Sequence, residues 1–180
     1  MTLIQRLRRF ARENKGVAAL EFAIIAPLLM VPLLLGSVDL IDVMGANKRA
    51  QNAAASIADV VARDTEVSNA ELTGIWRGLD ILMYPNAPGD MEMRITSVSI
   101  INDSTARVIW SEGHGGMSGR TAGSTVTLDD RMMTPGTSVI MVESVYKYDA
   151  PLGFLFQNQV RMTHDAYRRS RLVDPIPRVP

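Results

Sequence analysis

The chain opens on basic and polar positions, turns apolar for a long run, then repeats its apolar residues at helical spacing; only after Gly89 does it alternate every second residue. From Phe22 to Val38, FAIIAPLLMVPLLLGSV, no position carries a formal charge. A helix from Val17 to Leu40, at about 1.5 Å per residue, is long enough to cross the ~30 Å hydrocarbon layer of a bilayer. The pattern predicts a membrane helix over 17–44. Pro27 and Pro32 fall inside it. Each removes an amide donor and predicts a kink or a local loosening, which membrane helices tolerate when neighbours satisfy the freed carbonyls.

The helical spacing continues past the apolar run. Leu40, Val43, Ala46, Ala50, Ala54, Ile57 and Val61 recur three or four residues apart, and Ala53, Ala55, Ala58 and Ala62 widen the stripe. This predicts an alanine-rich stalk helix over 45–66, with a low-relief face that lets a neighbour approach closely. Anchor and stalk form one rod, hinged near the membrane surface where Gly45 costs about 1 kcal/mol relative to alanine. Ser68-Asn69-Ala70-Glu71 is a capping box. It opens a helix within 67–88 whose apolar side is Leu72, Ile75, Trp76, Leu79, Leu82 and Met83, and which Pro85, Pro88 and Gly89 end. Trp76 is expected to pack rather than to bind.

The segment 89–167 predicts a small β-rich domain. Met91, Met93 and Ile95 alternate with polar residues, and the strand continues to Ile101; Asn102-Asp103 turns into a second strand, Thr105 to Ser111. Residues 112–125 predict a mobile glycine-rich loop, and 126–133 fits neither pattern. Ser138 to Tyr148 is the clearest strand, and Gln159 to Tyr167 a candidate last one. Between them, Phe154-Leu155-Phe156 is an apolar cluster expected to fill the core, with contact to the membrane or a neighbouring subunit as the other reading. The basic, proline-bearing end, 168–180, reads as an extended, solvated tail, with pairing of its arginines to acids or lipid head groups as the other reading. The whole predicts an α+β protein: a long N-terminal transmembrane helix extending into a stalk, followed by a small exported domain with an antiparallel sheet.

Charge sharpens the membrane reading. The 19 basic and 19 acidic residues balance overall, but Arg6, Arg8, Arg9, Arg12 and Lys15 crowd the leader over 1–16, where Glu13 is the single acid. Bases before an apolar run favour a cytoplasmic N-terminus and export of the chain beyond the run. The remainder is net acidic, which does not suggest a nucleic-acid partner. A removable signal peptide would have a shorter apolar region, and Asp39-Leu40-Ile41 continues the helical pattern instead of offering a cleavage site.

Candidate chemistry is sparse. The chain has no cysteine, so disulfides and thiolate chemistry are excluded. His114 and His164 have no metal-ligand spacing and read as surface or turn residues; Asp129-Asp130 lacks an EF-hand context and reads as a solvated turn. Gly113, Gly115, Gly116 and Gly119 do not form a phosphate loop, and Ser118 is not in a nucleophile elbow. No catalytic residue, metal or cofactor is implied. The informative residue is Glu21, an acid at the start of the apolar segment: an unpaired ionised group there is costly and signals function.

Gly16-Val17-Ala18-Ala19-Leu20-Glu21-Phe22-Ala23, followed by Ile24-Ile25-Ala26-Pro27-Leu28-Leu29 and the stretch RAQNAAASIADVVAR, resembles the TadE family of pseudopilins of tight-adherence pilus systems, with its class III prepilin-like N-terminus. The motif-level likeness covers about residues 15–63; beyond it only the layout is similar. The resemblance implies that a prepilin peptidase cuts between Gly16 and Val17, and that Glu21 acts in processing and assembly. A freed Val17 ammonium and Glu21 lie one helical turn apart. Paired between adjacent subunits, they would set axial register, because a slip leaves a charge unpaired.

The outer domain is larger than that of a major fibre subunit, which favours a minor pseudopilin. The implied protein is a non-enzymatic component of Flp-type pilus assembly. It is single-pass in the bacterial inner membrane, with the N-terminus cytoplasmic and the C-terminal domain periplasmic, and an extracellular pilus is a further destination. Its partners would be the prepilin peptidase, the major pilin, other minor pseudopilins, the inner-membrane assembly platform and the lipid bilayer. The alternative is a membrane-tethered exported binding or sensor domain; a tethered enzyme would need converging titratable groups in residues 90–180.

Overall fold

The structure, a computed structural model, describes residues 16–180. The basic leader with Arg6, Arg8, Arg9, Arg12 and Lys15 lies outside the described residues. One helix, α1, runs from Val17 to Val61 through Pro27, Pro32 and Gly45. Gly45 does not interrupt it: the Arg49 guanidinium lies over that position, and Ala46 and Ala50 beside it are fully buried. The helix ends earlier than the predicted 66. Arg63 and Asp64 tighten the last turn by donating to the carbonyls of Val60 and Val61. The Arg171 amide then caps the Ala62 carbonyl at 3.0 Å.

A short turn leads to α2, Asn69–Met83. Its capping box is formed as predicted: the Glu71 amide donates to Ser68 Oγ, and the Ser68 amide donates to Glu71 Oε2. The helix buries Leu72, Leu79 and Met83 and packs back along α1, so that Asn86 beyond its end accepts from Arg49 at 2.5 Å. Trp76 stacks on His114, with ring centroids 4.5 Å apart and planes 8° from parallel.

The sheet contains β1 (Met91–Asn102), β2 (Thr105–His114), β3 (Thr125–Val126), β4 (Ser138–Tyr148) and β5 (Val160–Arg169). Its order is β3-β2-β1-β4-β5, all antiparallel. The predicted α+β architecture is therefore present. Period-two alternation sends Met93, Ile95, Ile140, Val142, Met162 and Ala166 toward α1, where Ala46, Ala50, Ala53, Ala54 and Ala58 have no exposed surface. Alanine is what lets the helix axis lie close to the pleat.

Val98, Ile100, Val108, Val139 and Met141 point to the far face. The ambiguous stretch after residue 125 covers them, as Val126 pairs with Ala106 and Leu128, Met132 and Met133 pack over the cluster. The other half of that face is polar. Glu143 binds Arg94 at 2.7 Å and Arg120 at 2.8 Å.

Several expectations need correction. Strand β2 continues to His114, and the glycine loop after it is not loose. A Cβ on Gly113 would lie 1.9 Å from the Met117 carbonyl oxygen, and one on Gly119 would lie 2.6 Å from that of Ser111. Gly115 has φ +68°, and a Cβ there would lie 2.3 Å from the Met91 carbonyl oxygen. These glycines let the loop fold back onto the strands, and Arg94 and Arg120 hold it there.

The C-terminal end is not a solvated tail. Arg168 and Arg169 close β5, and Ile176 is fully buried. Pro177 accepts from the Val67 amide at 2.9 Å, and the Val179 amide donates back to Val67. Three arginines converge on Asp59: Arg63, Arg168 and Arg171.

His164 is not a turn residue either. It lies in β5, and its Nε2 is buried without a hydrogen-bond partner among the described residues. Burial holds the imidazole below its ordinary 6.5, with Asp165 opposing the shift. The folded state therefore takes up this proton less readily than the unfolded chain does. The stability it contributes is complete above the unfolded pKa and is lost as pH falls toward the depressed folded value. His164→Leu is expected to flatten the decline of the sheet domain's urea midpoint as pH falls below about 6.5. An identical decline in the variant would assign it to other groups.

Candidate functional site

Helix α1 has two halves of opposite character. Its apolar half contains an 18-residue window of mean hydropathy 2.3, none of it buried within the protein. Phe22, Leu28 and Leu33 are each more than 70% exposed. A soluble core helix of this composition would be covered; this one leaves its whole circumference to be covered by something else. That exposure suggests a single-pass membrane protein, with the stalk half of the same helix serving as the central core element of the sheet domain.

The residues singled out from the sequence all fall on the apolar half. Gly16 is the N-cap of α1, in right-handed helical conformation (φ −88°), with nothing within 4 Å of where its Cβ would be. Val17 and Glu21, one turn apart, are both exposed, and Glu21 has no ion-pair partner among the described residues. Pro27 and Pro32 lack the amides that would otherwise bond the carbonyls of Ala23 and Leu28. The fold thus brings none of these residues to the outer domain.

Sequence reasoning misses a second acid on the same helix. Asp39 closes the apolar run and has no exposed surface. Its Oδ2 accepts from the amides of Phe154 and Leu155, at 2.7 and 2.8 Å. Its Oδ1 is buried with no partner among the described residues. One turn earlier, Gly36 is covered by the Leu155 side chain, whose atoms lie 3.1–3.4 Å from where a Cβ would stand. The loop between β4 and β5 is thereby clamped to the helix at its exit from the apolar segment.

Of the cluster Phe154-Leu155-Phe156, only Phe156 packs against the core; Phe154 and Leu155 remain exposed. The core expectation holds for one ring alone, because Asp39 draws the preceding backbone out along α1. The available signal is an acid at the end of an apolar run, which by itself reads as a simple boundary.

Elsewhere, α1 and α2 leave an open apolar groove of about 320 Å³ lined by Ile57, Val60, Gly74, Ile75, Gly78 and Leu82. Burial and the neighbouring Glu71 charge raise the carboxyl of Asp64 at its edge. Among the described residues no group of three or more His, Asp or Glu side chains is placed to hold a metal ion.

With the exposed span and the alanine stalk established as one helix, the comparison with known families is decisive for this part of the chain. Residues 16–59 match the family described as TadE-like protein. This helix is TadE-like. The matched range begins at the N-cap glycine and ends in the last turn of α1, so it takes in the whole apolar segment, Glu21, Asp39 and most of the alanine face. It includes no residue of the sheet. No curated protein and no solved structure matches the chain. The match, confined to this helix, suggests involvement in pilus assembly and association with pilus components in general.

Proposed function

We propose that this protein is a minor pseudopilin of a tight-adherence, Flp-type pilus, acting in assembly without catalysing a reaction. The observation that carries the reading is the coincidence of the TadE-like match with a helix whose apolar half is exposed all round. The protein enters the inner membrane with its N-terminus in the cytoplasm, directed by the basic leader. A prepilin peptidase cuts between Gly16 and Val17, and the freed ammonium of Val17 faces Glu21 of a neighbouring helix. The span then packs among major pilin and other minor pseudopilin helices at the assembly platform. Packing comes from the apolar surface, and the one charged pair selects the register. The sheet domain, fused to the stalk through the alanine face, rides outside the membrane.

The test uses cells with and without the prepilin peptidase. N-terminal sequencing of the membrane-bound protein is expected to begin at Val17 in the first and at Met1 in the second. A photo-crosslinker at Ile24 is expected to capture pilin helices only in the processed protein. A full-length N-terminus in both strains would sink the processing step. Absence of any pilin cross-link would favour a tethered binding domain.

A further inference from the structure

We propose that the loop between β4 and β5 is a membrane-surface anchor, with Leu152, Phe154 and Leu155 inserted at the outer edge of the bilayer that α1 crosses and Asp39 as the positioning residue that holds them there. This rests on α1 spanning a bilayer and is independent of the pilus reading.

Continuity comes first. Leu155 seats on Gly36, inside the exposed apolar surface of α1 formed by Leu34, Leu35 and Val38. Loop and span therefore present one unbroken apolar surface, and whatever solvates the span also meets the loop. Depth agrees. Gly36 stands about 29 Å along the helix from Val17, at the far boundary of a ~30 Å hydrocarbon layer.

Exposure points the same way. Leu152, Phe154 and Leu155 are 52%, 42% and 53% exposed on one short loop, while Phe156 behind them is tucked against the core. Irregular backbone at this depth needs its amides satisfied by protein, since lipid offers no acceptor. Asp39 Oδ2 supplies that acceptor to both Phe154 and Leu155. Gly153, at φ +61°, supplies the left-handed residue at the loop's bend, and Leu155 beyond it lies against the span at Gly36. At the root of the loop, Asp149 and Gln159 bond to each other at 3.1 Å and are both exposed, which marks the water side. A loop fixed in this way sets how deep the span sits and resists its tilting away from the outer domain.

The chain has no cysteine, so single-cysteine labels report cleanly. Full-length protein carrying Leu155→Cys is labelled with an environment-sensitive fluorophore. It is reconstituted in vesicles of equal parts phosphatidylethanolamine and phosphatidylglycerol, some containing lipid with a nitroxide high on the acyl chain. Val31→Cys in the span and Asp103→Cys at the β1–β2 turn serve as references.

Nitroxide lipid is expected to quench the label at 155 nearly as strongly as at 31, and several-fold more than at 103. Adding Asp39→Ala is expected to remove most of the quenching at 155. Asp39→Asn, which keeps an acceptor oxygen, is expected to preserve it. If the label at 155 responds only to an aqueous quencher while 31 stays lipid-quenched, the anchor is overturned and the membrane span survives. If 155 is shielded from both quenchers, a second copy covers the loop and the proposal is equally overturned. If 31 itself escapes lipid quenching, the spanning helix fails and the anchor with it.

Discussion

Cells carrying Glu21→Ala are expected to hold normal amounts of the protein in the membrane while losing at least about tenfold of its cross-linking to pilin helices, the equivalent of roughly 1.4 kcal/mol or more of selectivity. Insertion should not suffer. An acid in a span costs up to about 2.5–3.5 kcal/mol near the helix centre, so its removal eases partitioning into lipid. Nothing in the outer domain should change either, because Glu21 is exposed on the far half of α1 and has no described partner there. On the proposed register role, what alanine removes is the counter-charge for a processed neighbour. Without it, every one-turn displacement of two apolar helices costs nearly the same, and packing loses its preferred register.

Glu21→Gln separates the two contributions. It keeps a hydrogen-bonding side chain but no charge, and is expected to fall near alanine if the charge sets the register. Quantitative cross-linking from Ile24, normalised to protein in the membrane fraction, measures both variants. Wild-type cross-linking and wild-type surface pili in Glu21→Ala would remove the register role, leaving a TadE-like helix whose acid serves only processing or depth.

The second large effect concerns the opposite end of the chain. Ile176→Ala is expected to destabilise the outer domain by about 2–5 kcal/mol, the usual range for truncating a fully buried aliphatic side chain. Against a typical domain stability of about 5–15 kcal/mol this is a large fraction. The position matters beyond its own side chain. The Trp110 indole N–H donates to the Ile176 carbonyl at 2.9 Å in a buried setting. The flanking backbone is tied to Val67, and Arg178 binds Glu112 at 3.0 Å and also reaches Asn69.

The terminal segment therefore locks β2, the α1–α2 turn and the start of α2 together. Deleting residues 172–180 is expected to cost more than Ile176→Ala, since it also leaves the buried indole N–H unpaired, worth a further ~1–3 kcal/mol. Urea unfolding of the full chain in detergent, followed by tryptophan fluorescence, reads both variants through Trp76 and Trp110 together. A deletion that leaves the midpoint unchanged would show the segment to be a passenger on the surface.

Legibility in the sequence varies by element. The strand Ser138–Tyr148 is legible to the residue, because a run rich in Val, Ile and Tyr, with few polar positions and a Pro135-Gly136 turn before it, is a local signal. The capping box of α2 is equally plain, since Ser68 and Glu71 interact three residues apart. The span and the alanine stripe emerge from composition and from a period of three to four residues. The fate of the glycine loop, the terminal arginines and Phe154-Leu155 is not readable. Glycine looks the same in a loose loop as in one pressed against a strand carbonyl, and only the register of β1 against β2 places Gly115 beside Met91. An Arg-rich end reads as solvated until Asp59 and Glu112, far away in sequence, are found beside it.

By itself, the order of residues determined a lipid-spanning helix, its continuation as an alanine-faced stalk, the capped second helix, the α+β class and a TadE-like N-terminal motif. All of these are written in separations of one to four residues, within reach of a single helical turn or a strand's pleat. The tertiary structure alone decided that Asp39 clamps a loop 115 residues further on, that the C-terminus is a structural strap, and that the Nε2 of the half-buried His164 is shut away from solvent. Those outcomes depend on which surfaces meet once α1 lies across the sheet. That meeting arises from the summed burial of many side chains and leaves no mark at any one position.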